Sequence, residues 1–233
     1  MISGLKALTF DTGGTILDWH RGLCHAFAAA GAHRGVNADW PAITNDYRRR
    51  ALQAMVGHVN PSFNIDDVHR EMLATVIREH GLLGFTVEDR EAIYRTWHEL
   101  EAWPDVTSAL ARLRSKYAVV SFTILSTSLV LDVSRRNDLT WDCIVSCEMI
   151  GTYKPQPVAY RTCAKWLGYR PDELLMVACH NFDLNAAREA GYRTAFIRRP
   201  AEWGPAGPPD PIPHPSHDMV VEDFLELARL LGT

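Results

Sequence analysis

Short apolar runs alternate with helical stretches through the second half of the chain, and this alternation limits the fold more than any other feature. Apolar strands separated by helices are typical of a parallel sheet that is covered by helices on both faces. Beyond Trp103 the pattern predicts strands at 118–122, 143–146, 174–178, 194–197 and 219–221, and helices at 107–115, 129–136, 159–167, 184–190 and 224–231.

The first half of the chain differs, because one predicted strand at 5–10 is followed only by helical patterns. These helices are predicted at 21–30, 40–55, 65–80 and 87–100, with breaks at Gly57, Pro61 and 81–84. We therefore expect an α/β fold with a Rossmann-like, doubly wound parallel sheet core (1–15 and 102–233) and an inserted helical cap subdomain (16–101). The proline-rich stretch 205–215 is predicted to be a surface loop.

The composition argues against several classes of protein. Lys and Arg number 24 and Asp and Glu 28, and a net charge of −4 does not favour nucleic-acid binding. Five scattered cysteines indicate reduced thiols. The stretch before Asp11 is too short for a signal peptide, and no apolar run approaches the ~20 residues of a membrane helix. We expect a cytoplasmic protein that acts on a small molecule, with no nucleic-acid or membrane partner, as a monomer or a homodimer.

Polar residues follow several of the predicted strands, where open α/β sheets bind their ligands. Asp11 comes directly after the first strand, and it could be a nucleophile, a metal ligand or a cap of its own turn. Lys154 follows a strand-like stretch and could keep that carboxylate ionised, although a solvated lysine is the alternative. Asp183 follows a later strand and could fix the lysine, position a water molecule or cap the next helix.

Four segments together resemble the motifs of one enzyme superfamily. An apolar strand ending in Asp11-x-x-Gly-Thr, a threonine after the second strand, Lys154-Pro155 and a late Asp183 resemble the four-motif layout of the haloacid dehalogenase superfamily. Over nearly the whole chain, the L-2-haloacid dehalogenases are the branch that it most resembles. The segments that carry this resemblance are FDTGGTILDWH, DWPAITNDYRRR, TYKPQPVAY and VACHNFDLNAAREAGYRTAFIRRP.

The resemblance implies a hydrolase that converts a small (S)-2-haloacid into the 2-hydroxyacid and halide. Asp11 would displace the halide from carbon, and water would then hydrolyse the aspartyl ester. By the same resemblance Lys154 is the partner of Asp11, and Asp183 organises the lysine and the hydrolytic water. Thr123 takes the place of the second motif, and Arg48 receives the leaving halide.

The resemblance also implies residues that line the substrate pocket. Arg48 belongs to a run of three arginines, of which at least one faces solvent, because residues 48 and 50 lie ~200° apart on a helix. Tyr160 could equally pack in the core, and Ser126 offers a rival alignment for the second motif. The implied pocket residues are Thr12, Gly13, Thr15, Tyr47, Ser126, Tyr160 and Asn181.

Two departures from the superfamily pattern argue against a phosphatase. Gly13 stands where phosphatases carry a proton-donating aspartate, and Cys179 stands where they carry a magnesium-binding aspartate. A thiol is a poor ligand for a hard cation, so we expect no cofactor, with magnesium only under the phosphatase alternative. Ile124 cannot bind a substrate carboxylate through its side chain, which leaves a catalytically altered binding protein as a further alternative.

His180 replaces an asparagine of the family's last motif and lies three residues before Asp183. The ordinary pKa of a histidine lies near neutral pH, so we hypothesise that His180 is, or assists, the general base for ester hydrolysis. The alternative is a histidine that caps the loop.

Overall fold

The sheet at the centre of the molecule has six parallel strands. The computed structural model describes residues 2–60 and 62–233, so Met1 and Pro61, in the predicted core and cap respectively, lie outside the described residues. The strands are β1 (Ala7–Phe10), β2 (Ala118–Thr123), β3 (Cys143–Ser146), β4 (Leu174–Ala178), β5 (Arg193–Ile197) and β6 (Met219–Val221). Their order across the sheet is β3-β2-β1-β4-β5-β6, and Ala7 of β1 lies opposite both Ala118 and Leu174.

Most of the described helices begin where the sequence supplies a capping side chain. They are α1 (Trp19–Arg34), α2 (Trp40–Met55), α3 (Ile65–Glu79), α4 (Val87–Arg95), α5 (Val106–Arg114), α6 (Thr127–Arg136), α7 (Cys147–Ile150), α8 (Pro157–Leu167), α9 (Asn181–Glu189) and α10 (Phe224–Leu231), with 3₁₀ turns at Thr96–Glu99 and Pro171–Glu173. Asp18 accepts a hydrogen bond from the backbone N–H of Arg21 at the start of α1, and Asn64 does the same for α3. Each cap satisfies a donor that the first turn of a helix leaves unpaired.

Both faces of the sheet are covered, because the strands carry apolar side chains on both sides. On one face Phe10 of β1 stacks on Phe224 of α10, with ring centroids 5.5 Å apart. On the other face Phe122 of β2 meets Tyr160 of α8, with ring centroids 5.4 Å apart. The predicted α/β fold with a Rossmann-like, doubly wound parallel sheet is therefore confirmed.

Helices α1 to α4 come between β1 and α5 in the chain and pack mainly against one another. This agrees with an inserted helical block, while the exact division into a core (1–15 and 102–233) and a cap (16–101) stays a prediction. The stretch 205–215 forms neither helix nor strand, as predicted. The five cysteines are free. Among the described residues, no helix has both the length and the apolar composition needed to cross a bilayer.

One local prediction, the element that precedes Lys154, is wrong. Lys154 was expected directly after a strand, but β3 ends at Ser146 and the short helix α7 comes next. The Ser146 hydroxyl accepts a hydrogen bond from the backbone N–H of Glu148 and so starts this helix. A helix of four residues is too short to show a periodic pattern in the sequence. Lys154 thus lies on the loop between α7 and α8.

Candidate active site

Asp11 follows β1, and both of its carboxylate oxygens face side chains. Its Oδ1 lies 3.3 Å from the Nζ atom of Lys154. Its Oδ2 accepts a hydrogen bond from the Thr15 hydroxyl at 2.8 Å and lies 3.2 Å from Nδ1 of His180. The carboxylate is only 6% exposed. Its oxygens are thus held by a cation, an imidazole and a hydroxyl group, and no turn-capping bond to a backbone N–H is found among the described residues.

Lys154 joins Asp11 to a second carboxylate. Its Nζ atom lies 2.7 Å from Oδ2 of Asp183, and the hydroxyl of Tyr160 donates to Oδ1 of the same carboxylate at 2.6 Å. The helix-cap alternative for Asp183 is wrong, because His180 occupies the N-cap position of α9. The solvated-lysine alternative for Lys154 is wrong as well, since its side chain is 1% exposed.

The charges in this cluster fix its protonation states. Burial by itself raises the pKa of Asp11, but the charge of Lys154 and the hydrogen bond from His180 outweigh burial and hold this pKa well below its usual range. Burial disfavours the charged form of Lys154, but the carboxylates of Asp183 and Asp11 raise its pKa. At neutral pH the site therefore holds an ionised carboxylate beside a protonated amine.

His180 lies between two carboxylates rather than capping its loop. Its Nδ1 faces Asp11, and its Nε2 lies 3.0 Å from Oε1 of Glu202. Its side chain makes no capping hydrogen bond to α9. An ionised carboxylate only accepts hydrogen bonds, so an imidazole that bonds to two of them carries a proton on each nitrogen. In this state the ring is a donor and cannot yet act as the hypothesised base.

The pKa of His180 agrees with this geometry. Burial lowers it, but Cys179, Glu202 and Asp11 raise it well above its usual value. Burial also raises the pKa of the Cys179 thiol to about 11, so this thiol is neutral at ordinary pH. The anions that favour imidazolium are therefore Glu202 and Asp11.

Three potential metal-ligating atoms lie near Asp11, on Cys179, His180 and Glu202, within 4.8 Å of one another. The Sγ atom of Cys179 lies 3.4 Å from Nε2 of His180 and 3.6 Å from Oε2 of Glu202. Metals bind thiolates and neutral imidazoles, whereas this thiol and this imidazole both hold protons. Magnesium fits less well, because the cations Lys154 and His180 flank Asp11. We read this cluster as a hydrogen-bonded group and not as a magnesium site.

Arg48 lies on α2 and is 1% exposed. Its guanidinium carbon lies 5.5 Å from the ring centroid of Trp19 and 5.3 Å from that of Trp97. Within residues 2–60 and 62–233, its Nε and Nη1 atoms have no hydrogen-bond partner. A buried charge without a partner is unfavourable, so this guanidinium is suited to receive an anion.

The other two arginines of the run point elsewhere. Arg49 and Arg50 form ion pairs with Asp46, at 3.5 Å and 3.0 Å. The side chain of Arg49 is 54% exposed. The solvated helix face in this run therefore belongs to Arg49 and Arg50, while Arg48 points into the interior.

Two glycines after Asp11 make room for the charged side chains around it. A Cβ on Gly13 would lie 3.2 Å from Nη2 of Arg48, and a Cβ on Gly14 only 2.1 Å from Oε1 of Glu202. Gly14 also has a φ of +90°, a conformation that other residues rarely adopt. A side chain at position 13 would occupy the space next to Arg48.

We expect Gly14→Ala to lower the free energy of unfolding by roughly 2–5 kcal/mol, because it combines an unfavourable φ with a clash against buried Glu202. Gly4→Ala is the matched control, since Gly4 has a φ of +83° but nothing within 4 Å of its added Cβ. That control should cost about 1–2 kcal/mol. Chemical denaturation of both variants measures the difference, and equal losses would contradict a clash with Glu202.

Two predicted residues near the nucleophile lie at the ends of strands. Thr123 ends β2, next to β1, and its Oγ1 accepts a hydrogen bond from the backbone N–H of Leu125 at 3.1 Å, so its proton is available for donation. Thr12 is fully buried, and its hydroxyl lies 3.0 Å from that of Ser121 on β2. Thr12 therefore ties the loop after β1 to β2, and its side chain is closed off from solvent.

Three further predicted pocket residues are engaged in structural contacts. The Ser126 hydroxyl caps α6 and donates to Asp66. The Tyr47 hydroxyl donates to the backbone oxygen of His69 at 2.9 Å. The side-chain amide of Asn181 donates to the backbone oxygen of Ile212 in the proline-rich loop. These placements do not support the predicted contacts of the three residues with substrate. The Tyr160 hydroxyl is likewise engaged in a structural contact, because it donates a hydrogen bond to Asp183.

Sequence reasoning missed four buried residues of the site. Glu202 is 2% exposed, and Trp19, Trp97 and His69 are fully buried. The rings of His69 and Trp97 stack at 4.1 Å, beside Arg48. Only Glu202 carried a usable signal, because it lies in the loop that follows β5, at the ligand-binding edge of the sheet.

Comparisons with known proteins agree with the geometry. A family model described as haloacid dehalogenase-like hydrolase matches residues 5–191. The (S)-2-haloacid dehalogenase 4A of Burkholderia cepacia is 26% identical over 211 residues, which cover 85% of each chain. The phosphoglycolate phosphatase of Aquifex aeolicus (strain VF5) is 26% identical over 204 residues, 86% of each chain.

Among solved structures, the defluorinating L-2-haloacid dehalogenase Rha0230 is similar to this chain with a TM-score of 0.90 and 34% identity. The match covers 98% of this chain and 96% of that one. The L-2-haloacid dehalogenase PA0810 gives a TM-score of 0.89 at 33% identity, over 98% of this chain and 99% of that one.

Proposed function

This chain belongs to the haloacid dehalogenase-like hydrolases, and from that premise we propose that it hydrolyses small (S)-2-haloacids through a covalent ester on Asp11. One observation carries the proposal: Arg48 has a buried guanidinium whose Nε and Nη1 atoms find no partner in the part of the chain that the structure describes, and it lies next to the loop of an ionised, buried carboxylate. A nucleophilic carboxylate and a receptor for an anion are the two groups that displacement of a halide requires.

The first step is displacement at carbon. An Asp11 oxygen attacks C2 of the substrate from the side opposite the halogen, the new C–O bond forms, and the halide leaves with the electron pair of the C–X bond. Attack from the back inverts the configuration at C2. Arg48 receives the halide, and the interior position of both groups keeps water away from this step.

The second step is hydrolysis of the ester. Water attacks the carbonyl carbon of Asp11, which returns the carboxylate and releases the 2-hydroxyacid. Lys154 orients Asp11 and offsets its charge, and Asp183 with Tyr160 holds the lysine in place. The Thr123 hydroxyl is a donor for the substrate carboxylate, a role that Ile124 cannot supply through its side chain. We propose that no metal takes part.

The direct test is halide release from chloroacetate, fluoroacetate and the two enantiomers of 2-chloropropionate, with and without EDTA. We expect release from the (S) enantiomer, inversion at C2 and no effect of EDTA. In a single turnover in H₂¹⁸O the label should enter Asp11 and not the product, because water attacks the carboxyl carbon. Halide from none of these substrates, together with magnesium-dependent hydrolysis of p-nitrophenyl phosphate, would replace this proposal with a phosphatase.

Removal of the Arg48 guanidinium separates its role from that of its neighbours. We expect Arg48→Met to lower kcat/KM for chloroacetate by roughly 10²-fold or more, since a charged hydrogen bond to the leaving anion is lost. Arg49→Met is the matched control and should retain the parent value, because its side chain is exposed and paired with Asp46. Equal kcat/KM in the two variants would exclude Arg48 as the anion receptor.

A further inference from the structure

Glu202 is the second anion on His180, and its position is fixed by several partners. Its Oε1 accepts a hydrogen bond from Nε1 of the buried Trp19 at 3.1 Å and faces Nε2 of His180 at 3.0 Å. Its Oε2 lies 3.6 Å from the Cys179 thiol. A buried carboxylate held on both oxygens can fix the plane and tilt of the imidazole that it binds.

We infer that Glu202 positions His180 as a proton carrier with two states. While Asp11 is a free carboxylate, the imidazole donates a hydrogen bond to it. Once Asp11 carries the ester, the imidazole becomes the base for the hydrolytic water. The inference rests on the proposed function, because it assigns an event to each of the two chemical steps. Glu202 contacts His180 but not the carboxylate of Asp11, so it is a positioning residue, and His180 acts on the reacting atoms.

The groups around the ring explain why its state can change with the ester. Asp11 faces Nδ1, Glu202 faces Nε2, and the neutral Cys179 thiol lies beside Nε2. Farther out, Lys154 faces the other oxygen of Asp11, and the charge of Arg48 acts on Glu202. Esterification removes the charge of Asp11 alone, so the ring then has one anionic neighbour instead of two. Its affinity for the second proton falls accordingly.

The protons balance over one turnover. Displacement of halide consumes no proton, and the imidazolium then releases its Nδ1 proton to solvent. This is the single proton that hydrolysis of a carbon–halogen bond must release. Neutral His180 still donates its Nε2–H to Glu202. Its Nδ1 now carries a free lone pair, which lies where Nδ1 was hydrogen-bonded to Oδ2 of Asp11.

Hydrolysis restores the resting site. Water bonds to the carbonyl carbon of the ester while Nδ1 of His180 takes one of its protons. The bond from that carbon to the substrate oxygen then breaks, and the departing alkoxide takes the remaining proton of the attacking water. Asp11 is again a carboxylate, and His180 is again an imidazolium that holds it.

The test uses Glu202→Gln, which removes the charge but keeps an oxygen that can accept from Trp19. Chloroacetate is mixed with excess enzyme, halide is measured by rapid quench, and the carboxymethyl adduct on Asp11 is followed by mass spectrometry. We expect the first equivalent of halide at close to the parent rate, accumulation of the adduct, and a kcat lower by roughly 10²-fold. The midpoint of the rise of ester hydrolysis with pH should move to lower pH, because His180 loses its remaining anion.

Glu173→Gln is the matched control, since Glu173 lies before β4, at the opposite end of that strand from His180. It should leave halide release, adduct lifetime and pH midpoint unchanged. His180→Ala gives a second reading that does not depend on the folding of the Glu202 variant: the adduct should persist and the pH midpoint of ester hydrolysis should disappear. Melting curves establish that each variant is folded.

The outcomes separate the two proposals. A parent protein that releases no halide and gains no adduct overturns the proposed function. A parent that does both, with Glu202→Gln hydrolysing its ester at the parent rate and with the same pH midpoint, overturns the positioning role of Glu202 alone. An adduct on His180→Ala that hydrolyses as fast as in the parent overturns the role of His180 as base.

Discussion

Asp11→Asn should lower the rate of halide release from chloroacetate by roughly 10⁴-fold or more, because the amide lacks the negative charge that displaces the halide. The isosteric amide keeps an oxygen for the Thr15 hydroxyl and leaves the pairs Lys154–Asp183 and His180–Glu202 intact. The loss should therefore be in chemistry and not in folding. Rapid-quench measurement of halide, with intact-protein mass to detect an adduct, checks this result.

The control for this prediction is Asp172→Asn, which removes an exposed carboxylate before β4. It should release halide at the parent rate. Retention of more than a tenth of the parent rate in Asp11→Asn, with no reversion of the amide detected by mass, would show that another group attacks the substrate.

Lys154→Met has the second large effect, and it acts on stability as well as on activity. The ammonium group lies between two carboxylates that are both nearly inaccessible to solvent. Its removal leaves two buried carboxyl groups with no cation between them, and burial already raises the pKa of Asp183, so the free energy of unfolding should fall by about 3–5 kcal/mol at neutral pH. Urea denaturation measures this loss, and Lys165→Met, at an exposed position on α8, should cost less than about 0.5 kcal/mol.

The pH dependence of this variant follows from the sign of the Asp11 shift. Because the folded-state pKa of Asp11 is held below its usual value of about 3.9, its stabilising contribution is present above that pH and is lost as the pH falls. The difference in unfolding free energy between parent and Lys154→Met should therefore narrow in acid, where the carboxyls are protonated. In the variant, halide release should also need a higher pH, since the pKa of Asp11 rises without the cation. A difference independent of pH would mean that the lysine stabilises by packing alone.

The fold could be predicted from the sequence because its strands are short apolar runs with clear ends. The bounds of β3, β4 and β6 match their predicted ranges, and so do those of α2 and α10. The helix α7 could not be predicted, since four residues show no period and its start depends on a single serine hydroxyl. The N-terminal end of α1 lies earlier than predicted, because the capping residue Asp18 and not the first apolar residue determines where this helix begins.

The site was harder to predict, because it depends on contacts between distant segments. Asp11, Lys154 and Asp183 could be recognised by their places after strands and in motifs, and the structure brings them together. The place of Glu202 in the loop after β5 was a usable signal, but only the fold shows that this glutamate meets His180. The opposite error occurred at Asn181, where a motif position suggested a pocket residue but the side chain binds a surface loop.

The central place of β1 in the sheet has a consequence for synthesis of the protein. Ala7 pairs with Ala118 on one side and with Leu174 on the other, so both neighbours of the first strand come late in the chain. At ~5–20 residues per second, a ribosome needs on the order of 10–30 s to proceed from β1 to β4. During that interval the apolar strand β1 lacks at least one of its two partners, which favours chaperone binding and, at high expression, aggregation. The nucleophile is thus synthesised long before the residues that surround it, and its surroundings are complete only when the loop that carries Glu202 has emerged.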